Sequence, residues 1–416
     1  MTTQQGVVNM VHKQNKFYYR LTQFLSGIVS RTLFRRKVLR NELKGKKGPL
    51  VVIANHEAAL DFTNLIGLTK EQMVFVISNS FYNSLPFKKI MDKIGVIPKQ
   101  QFQTCVKDMC AMKSAVEHGK ILVIYPAGLM CEDGLSTPIP HTTYQFLKWI
   151  KADIYMARIT GTYFVTPKWS KKNRPGRTYI DVFKLFDKSE LENMELEEIV
   201  ERTNEHLLFD AYRDQEEKQV KYLGGDNVEG LENVLYVCPH CGKEETVRTS
   251  KNRIFCEACG YAEESDKYGF LHKVSEVGEE IRYVSDWSKK IYTDTLERLR
   301  DGGELKISAH ASFKAIDKES GKFRDFGSGT VTLTREGFRI VGTVDGEDTD
   351  AHIAIDHFAS LPFSPGKYFE IQHGHDILRC YTENPYDVIR TIHAIKALYE
   401  LNPNNSPIAE THHHCG

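Results

Sequence analysis

The stretch Pro49-Leu50-Val51-Val52-Ile53-Ala54-Asn55-His56-Glu57-Ala58-Ala59-Leu60-Asp61 joins an uninterrupted apolar run to a histidine and, four intervening residues later, a carboxylate. A short apolar run without alternation predicts a strand buried on both faces. In an α/β fold the carboxyl end of such a strand is where ligands bind. There, His56 and Asp61 can form a base–orienter pair. The carboxylate holds the imidazole tautomer, and the imidazole takes a proton from an alcohol. The same spacing also fits a loop histidine followed by a helix N-cap aspartate, so the rest of the chain has to decide.

Outward from this stretch, residues 49–185 alternate between short apolar strands and helical segments. Leu50–Ala54, Met73–Ser78, Ile121–Tyr125, Ile154–Ala157 and Tyr179–Phe183 read as strands. Leu85–Ile94, Thr104–His118 and Tyr144–Lys151 read as helices. This alternation predicts an α/β layer fold with a mostly parallel sheet. His56 then leaves one strand end and Pro126-Ala127-Gly128 leaves another.

At 416 residues the chain is too long for a single core, and several domains are expected. Net charge is zero but unevenly spread: residues 1–50 carry +10 and the remainder −10. Within the basic arm, Phe17, Leu21, Phe24, Leu25, Ile28 and Leu33 recur near helical spacing, bordered by Arg20, Arg31, Arg35 and Arg36. Residues 1–48 therefore read as an amphipathic helix, either packed on its own domain or lying in a membrane interface. No apolar stretch approaches the roughly 20 residues of a membrane span. A secretory leader pattern is also missing. A cytoplasmic protein, peripheral to a membrane, is the expectation.

The order of blocks resembles the glycerolipid acyltransferase family. Its Asn-His-x4-Asp block is present as Asn55, His56 and Asp61. A Gly-x-Ile block is matched by Gly95-Val96-Ile97-Pro98-Lys99, and a Phe-Pro-Glu-Gly block by Tyr125-Pro126-Ala127-Gly128. A fourth, apolar block with a proline is matched by Phe164-Val165-Thr166-Pro167. The resemblance implies acyl transfer from acyl-CoA or acyl-carrier protein to a lysophospholipid, with 1-acylglycerol 3-phosphate as the first acceptor. It implies His56 and Asp61 as the catalytic pair. Substrate contacts fall to Asn55, Gly95, Ile97, Lys99, Tyr125, Pro126 and Gly128, with Lys99 on the acceptor phosphate. Two positions depart from the pattern. The family glutamate of the third block is Ala127, and Lys99 stands where an arginine is common. Glu132 and Asp133 lie near enough in sequence to offer a carboxylate, although they read first as part of the turn at Asp133-Gly134.

Further on, Cys238-x2-Cys241 and Cys256-x2-Cys259 are separated by fourteen residues, each pair followed by glycine. Four thiolates in this pattern predict a closed structural zinc site. The surrounding charge is mixed, which favours a brace or protein contact over nucleic acid. Residues 300–402 carry about six or seven short strands and a final helix over Pro385–Leu401. They resemble a pleckstrin-homology-like barrel in architecture only. The expected division is a basic helix 1–48, an acyltransferase domain 49–185, an acidic helical linker 186–235 in which 187–221 reads as a solvated helix pair, a zinc ribbon 236–262, a connecting helical segment 263–299, a β domain 300–402 and a disordered tail 403–416. Two other functions stay open at this level. One is a lipid-binding scaffold that lost catalysis with Ala127, and the other is a nucleic-acid-associated zinc-ribbon protein.

Overall fold

The computed structural model describes residues 14–85, 88–101, 105–225, 227–317, 320–355, 358–374 and 376–402. The carboxy-terminal tail 403–416 and residues 1–13 lie outside the described residues.

The first sheet contains β1 (Lys37–Asn41), β2 (Leu50–Ala54), β3 (Met73–Ser78), β4 (Ile97–Lys99), β5 (Ile121–Ile124), β6 (Asp153–Thr160) and β7 (Tyr179–Phe186), in the order β1-β7-β6-β2-β5-β3-β4. Every pairing is parallel except β6 with β7. All five residues of β2 are buried because both faces of the sheet are covered. Val51 and Ile53 face a layer containing Met112, Phe146 and Ile199, whereas Leu50 and Val52 face Tyr19, Leu65 and Ile94.

The helices of this half are α1 (Lys16–Thr32), α2 (Asp61–Leu65), α3 (Asn79–Ser84), α4 (Lys88–Ile94), α5 (Val106–Glu117), α6 (His141–Trp149), α7 (Thr162–Val165), α8 (Lys188–Asn193), α9 (Leu196–Leu207) and α10 (Ala211–Lys218). The basic arm is shorter than its pattern suggests: α1 ends at Thr32, and Lys37–Asn41 is an edge strand of the sheet. Residues 187–218 form three helices rather than a solvated pair. Leu191, Ile199 and Leu207 are buried in the layer over the sheet, so this acidic stretch belongs to the core.

α1 docks by its polar side. Asn15 caps its first turn by accepting from the backbone N–H groups of Phe17 and Tyr18. The Gln23 side chain donates to the Ile66 carbonyl at 2.7 Å, the Ser30 hydroxyl meets Asn64 at 3.0 Å, and the buried Tyr19 hydroxyl accepts from the Met73 N–H at 2.8 Å. Phe17, Leu21, Phe24, Leu25 and Ile28 are left exposed on the outside. Among the described residues no helix is long and apolar enough to cross a membrane.

A small antiparallel sheet follows, β8 (Val247–Ser250), β9 (Arg253–Cys256), β10 (Ala262–Ser265) and β11 (Leu271–Lys273), so the cysteine module extends beyond residue 262. The long helix α11 (Val284–Arg300) leads into a seven-stranded sheet: β12 (Ile307–Ile316), β13 (Phe323–Thr334), β14 (Gly337–Val344), β15 (Glu347–Ile353), β16 (Phe363–Ser364), β17 (Tyr368–His373) and β18 (Asp376–Thr382). Its order is β15-β14-β13-β12-β18-β17-β16, entirely antiparallel, and no pairing among the described residues joins β15 to β16 into a closed barrel. The final helix α12 (Tyr386–Leu401) buries Val388, Ile389, Ile392 and Ile395 with Phe313, Phe338 and Leu378 of this sheet. One hydrophobic cluster runs continuously from Phe34 and Tyr163 through Val247 and Trp287 to Ala397, so the modules share a core.

Candidate active site

The parallel register between β2 and β5 pairs Ile53 with Ile124. It therefore delivers His56 and Tyr125 to the same edge of the sheet, at adjacent strand ends. The two rings stack with centroids 4.3 Å apart and planes 26° apart. Immediately after His56 the chain turns into α2, whose first residue is Asp61. The imidazole Nδ1 lies 2.9 Å from Asp61 Oδ2. That same oxygen accepts the backbone N–H groups of Glu57 and Ala58, both at 2.9 Å. Three donors on one oxygen lock the carboxylate, which is wholly buried, while the histidine side chain is 19% exposed. With Nδ1–H donated to Asp61, Nε2 is the basic nitrogen. Asp61 is thus sealed while the His56 ring stays accessible.

A sequence neighbour not singled out beforehand reinforces this. Glu57 is fully buried; its Oε2 accepts from the Thr162 hydroxyl at 3.1 Å and the Tyr163 N–H at 3.0 Å, while Oε1 has no partner. Burial, followed by the charge of Asp61, raises its pKa to about 8. Glu57 is thus mostly protonated at neutral pH and adds little charge behind His56.

His56, Tyr125, Pro126, Ala127, Gly128 and Lys99 line a cavity of about 1800 Å³. Much of its wall is apolar, including Phe75, Ile77, Met91, Val96, Met109 and Phe146. One side is formed by the carboxy-terminal β domain through Phe358, Phe363, Tyr368, Glu370 and Arg379. Sequence reasoning gave no hint of this wall, since its residues lie about 190 or more positions beyond the last block. Gly128 takes a positive φ of 69° in the turn closed by its N–H to the Tyr125 carbonyl, a conformation that favours glycine.

Three expected substrate contacts sit elsewhere. Both polar side-chain atoms of Asn55 are engaged with the Ile159 backbone at 2.7 Å, where they fasten the end of β2 to β6. Gly95 closes the end of α4, and a Cβ there would come within 2.5 Å of Gln14 Cγ. Ile97 is fully buried in the core. Lys99 lines the cavity, yet its ammonium donates to the Gln100 carbonyl at 2.9 Å, and burial lowers its pKa. Phe164 of the fourth block is buried against Tyr212 and Tyr222, away from the cavity wall.

Glu132 and Asp133 do not replace the missing glutamate. Glu132 is buried and accepts from Lys396 of α12 at 2.5 Å; Asp133 accepts from Ser288 of α11 at 2.6 Å and from the Leu135 N–H at 2.9 Å. They anchor the loop after β5 to the two long carboxy-terminal helices.

Residues 35–168 match the family model described as acyltransferase. This segment is an acyltransferase domain. In solved structures the chain is similar to the 1-acyl-sn-glycerophosphate (LPA) acyltransferase PlsC from Thermotoga maritima, at 14% identity over 48% of this chain and 79% of that one, with a TM-score of 0.41. It is also similar to the Ran binding domain of the nuclear complex component Nup2 from Ashbya gossypii, at 13% identity over 23% of this chain and 96% of that one, with a TM-score of 0.19. No curated protein matches the chain.

Beyond the acyltransferase domain, Cys238, Cys241, Cys256 and Cys259 converge. Their sulfurs lie within 4.8 Å of one another, with Cys238–Cys259 at 3.6 Å and Cys241–Cys256 at 3.9 Å. Thiolates bound at about 2.3 Å around a tetrahedral ion would stand about 3.8 Å apart, so this cluster has the shape of a metal site. The module abuts α12, where Arg390 pairs with Glu244 and, at 2.6 Å, with Glu245, and α11, where Trp287 donates to the Val237 carbonyl at 2.9 Å.

Proposed function

We propose that this protein is an O-acyltransferase that moves a fatty acyl group from the thioester of acyl-CoA or acyl-carrier protein to a lysophospholipid, with 1-acylglycerol 3-phosphate as the first acceptor to test. The observation carrying this reading is the His56–Asp61 pair, with its orienter buried and its base on the wall of a large apolar cavity. His56 Nε2 takes the proton from the acceptor hydroxyl as its oxygen attacks the thioester carbonyl. The imidazolium, stabilised by Asp61, then returns that proton to the departing thiolate. The products are an ester and a free thiol, and no covalent enzyme intermediate is required.

Two further readings accompany it. The four cysteines hold a structural zinc ion, which would fill all four tetrahedral positions and leave none for chemistry. The outward apolar stripe of α1, flanked by Lys16, Arg20 and Arg31, rests in a membrane interface at the cytoplasmic face, where the acceptor resides. The inverted docking of α1 favours this over a helix that packs its apolar face inward.

One assay tests the whole reading. The full chain is offered acyl-CoA and a panel of lysophospholipids, as vesicles and as short-chain monomers, alongside Ala127→Glu and Leu25→Glu variants. Turnover is expected on 1-acylglycerol 3-phosphate, and Leu25→Glu is expected to lower it on vesicles while sparing the monomeric acceptor. Absence of transfer to every acceptor by wild type, with Ala127→Glu active, would assign the natural chain to lipid binding instead.

A further inference from the structure

The cavity wall carries a cation that the proton-transfer step does not use. Lys168, directly after the fourth block, lines the cavity. Its ammonium reaches the Met130 carbonyl at 3.4 Å and lies 3.3 Å from the ring centroid of Phe363, supplied by β16. A lysine ammonium has three donors. Among the described residues no carboxylate pairs with Lys168. Glu132, whose charge acts on it most strongly, is itself taken by Lys396.

The other lysine and the arginine of the wall are differently placed. Arg379 is held by Glu370 at 2.7 Å and Ser80 at 2.9 Å, and Lys99 by the Gln100 carbonyl. Burial lowers the pKa of Lys168 only to about 8, which leaves it cationic at neutral pH. One loop ties it to the base: Tyr125 stacks on His56, Met130 accepts from Lys168, and the Cys131 N–H donates to the His56 carbonyl at 3.3 Å. An ammonium short of acceptors beside an apolar cavity is matched by an anionic ligand group.

We propose that Lys168 binds the phosphate of the acceptor and that Phe363 of the β domain is its positioning residue. This rests on the acyl-transfer reading and deepens it, because it assigns acceptor recognition to a junction between the core and the β domain. It also moves that role from Lys99 to Lys168.

The test compares wild type, Lys168→Met, Lys168→Arg and Phe363→Leu on 1-acylglycerol 3-phosphate and on phosphate-free monoacylglycerol, with calorimetric titration of short-chain 1-acylglycerol 3-phosphate in parallel. Lys168→Met should raise KM for the phosphorylated acceptor about 10- to 100-fold, the worth of a charge-assisted hydrogen bond, with kcat and the monoacylglycerol rate held within about threefold. Lys168→Arg should recover most of the affinity, and Phe363→Leu should lose affinity in the same direction but less. Equal loss on both acceptors, or an unchanged KM for the phosphorylated one, would overturn the proposal and leave acyl transfer standing. If wild type acylates neither acceptor, the acyl-transfer reading fails and the titration alone decides whether Lys168 binds phosphate. Should Lys168→Met not fold, Lys168→Arg and Phe363→Leu carry the same comparison.

Discussion

Two loops leave adjacent strands of one sheet and meet at the same cavity, yet they are held in opposite ways. The loop after β2 is held mainly by its own neighbours. Asp61 caps the backbone of Glu57 and Ala58 and orients His56, all within six residues. The loop after β5 is held by remote ones: Glu132 by Lys396, Asp133 by Ser288, Gly128 by Gln101. The proposed base sits on the local loop. The loop after β5 is instead wired to the carboxy-terminal domain, so the two can be separated by mutation.

The sharpest separation comes from His56→Ala. Removing the base should lower kcat about 10²- to 10⁴-fold, with little change in the unfolding midpoint, because Asp61 keeps the Glu57 and Ala58 N–H donors. Turnover near wild type would refute the mechanism. Lys396→Met attacks the other loop. It strands the buried Glu132 and should cost about 3–5 kcal/mol in denaturant unfolding, with most of the loss recovered in Glu132→Gln/Lys396→Met. Its effect on kcat should stay well below that of His56→Ala. A cost under about 1 kcal/mol would show that the remote anchor does not hold the loop.

Third is the cysteine cluster. Wild type should bind zinc at about one ion per chain, and Cys256→Ala/Cys259→Ala should lose it. Because the module braces α11 and α12, this variant should lower thermal stability and reduce kcat only a few-fold. A metal-free wild type purified without chelator would count against the site. The smallest effect on turnover is expected from Glu57→Gln. The folded-state pKa of Glu57 is raised to about 8, so between its ordinary carboxylate range and pH 8 the folded protein binds the proton that the unfolded chain has released. Wild-type stability therefore falls as pH rises through that window. Glu57→Gln, already neutral, should lack this part of the slope and gain on wild type from pH 5 to 8, with turnover nearly unchanged. Parallel stability–pH curves for the two proteins would show that Glu57 is ionised in the fold.

Most strands were legible because their signals are local. The apolar runs at 50–54 and 121–124 and the alternation across 307–334 give strand and burial directly. None of the four strands of the cysteine module was legible, because strands of three or four residues carry too little periodicity. The acidic helices 188–218 read as solvated because their charge outweighs three spaced apolar residues, and only the sheet beneath them reveals what Leu191, Ile199 and Leu207 are for. Asn55, Gly95 and Ile97 belong to the blocks, but packing turns them into structural supports.

The sequence by itself determined that His56 and Asp61 share one turn, the strand that leads into it and the paired spacing of the four cysteines, since each depends on residues a few positions apart along one element. Only the tertiary structure decided which side of α1 faces outward, which residues wall the cavity and what holds Lys168. Those are meetings between segments separated by up to about 300 residues, set by how the sheet, the helices and the β domain close on one another, and no local spacing encodes them.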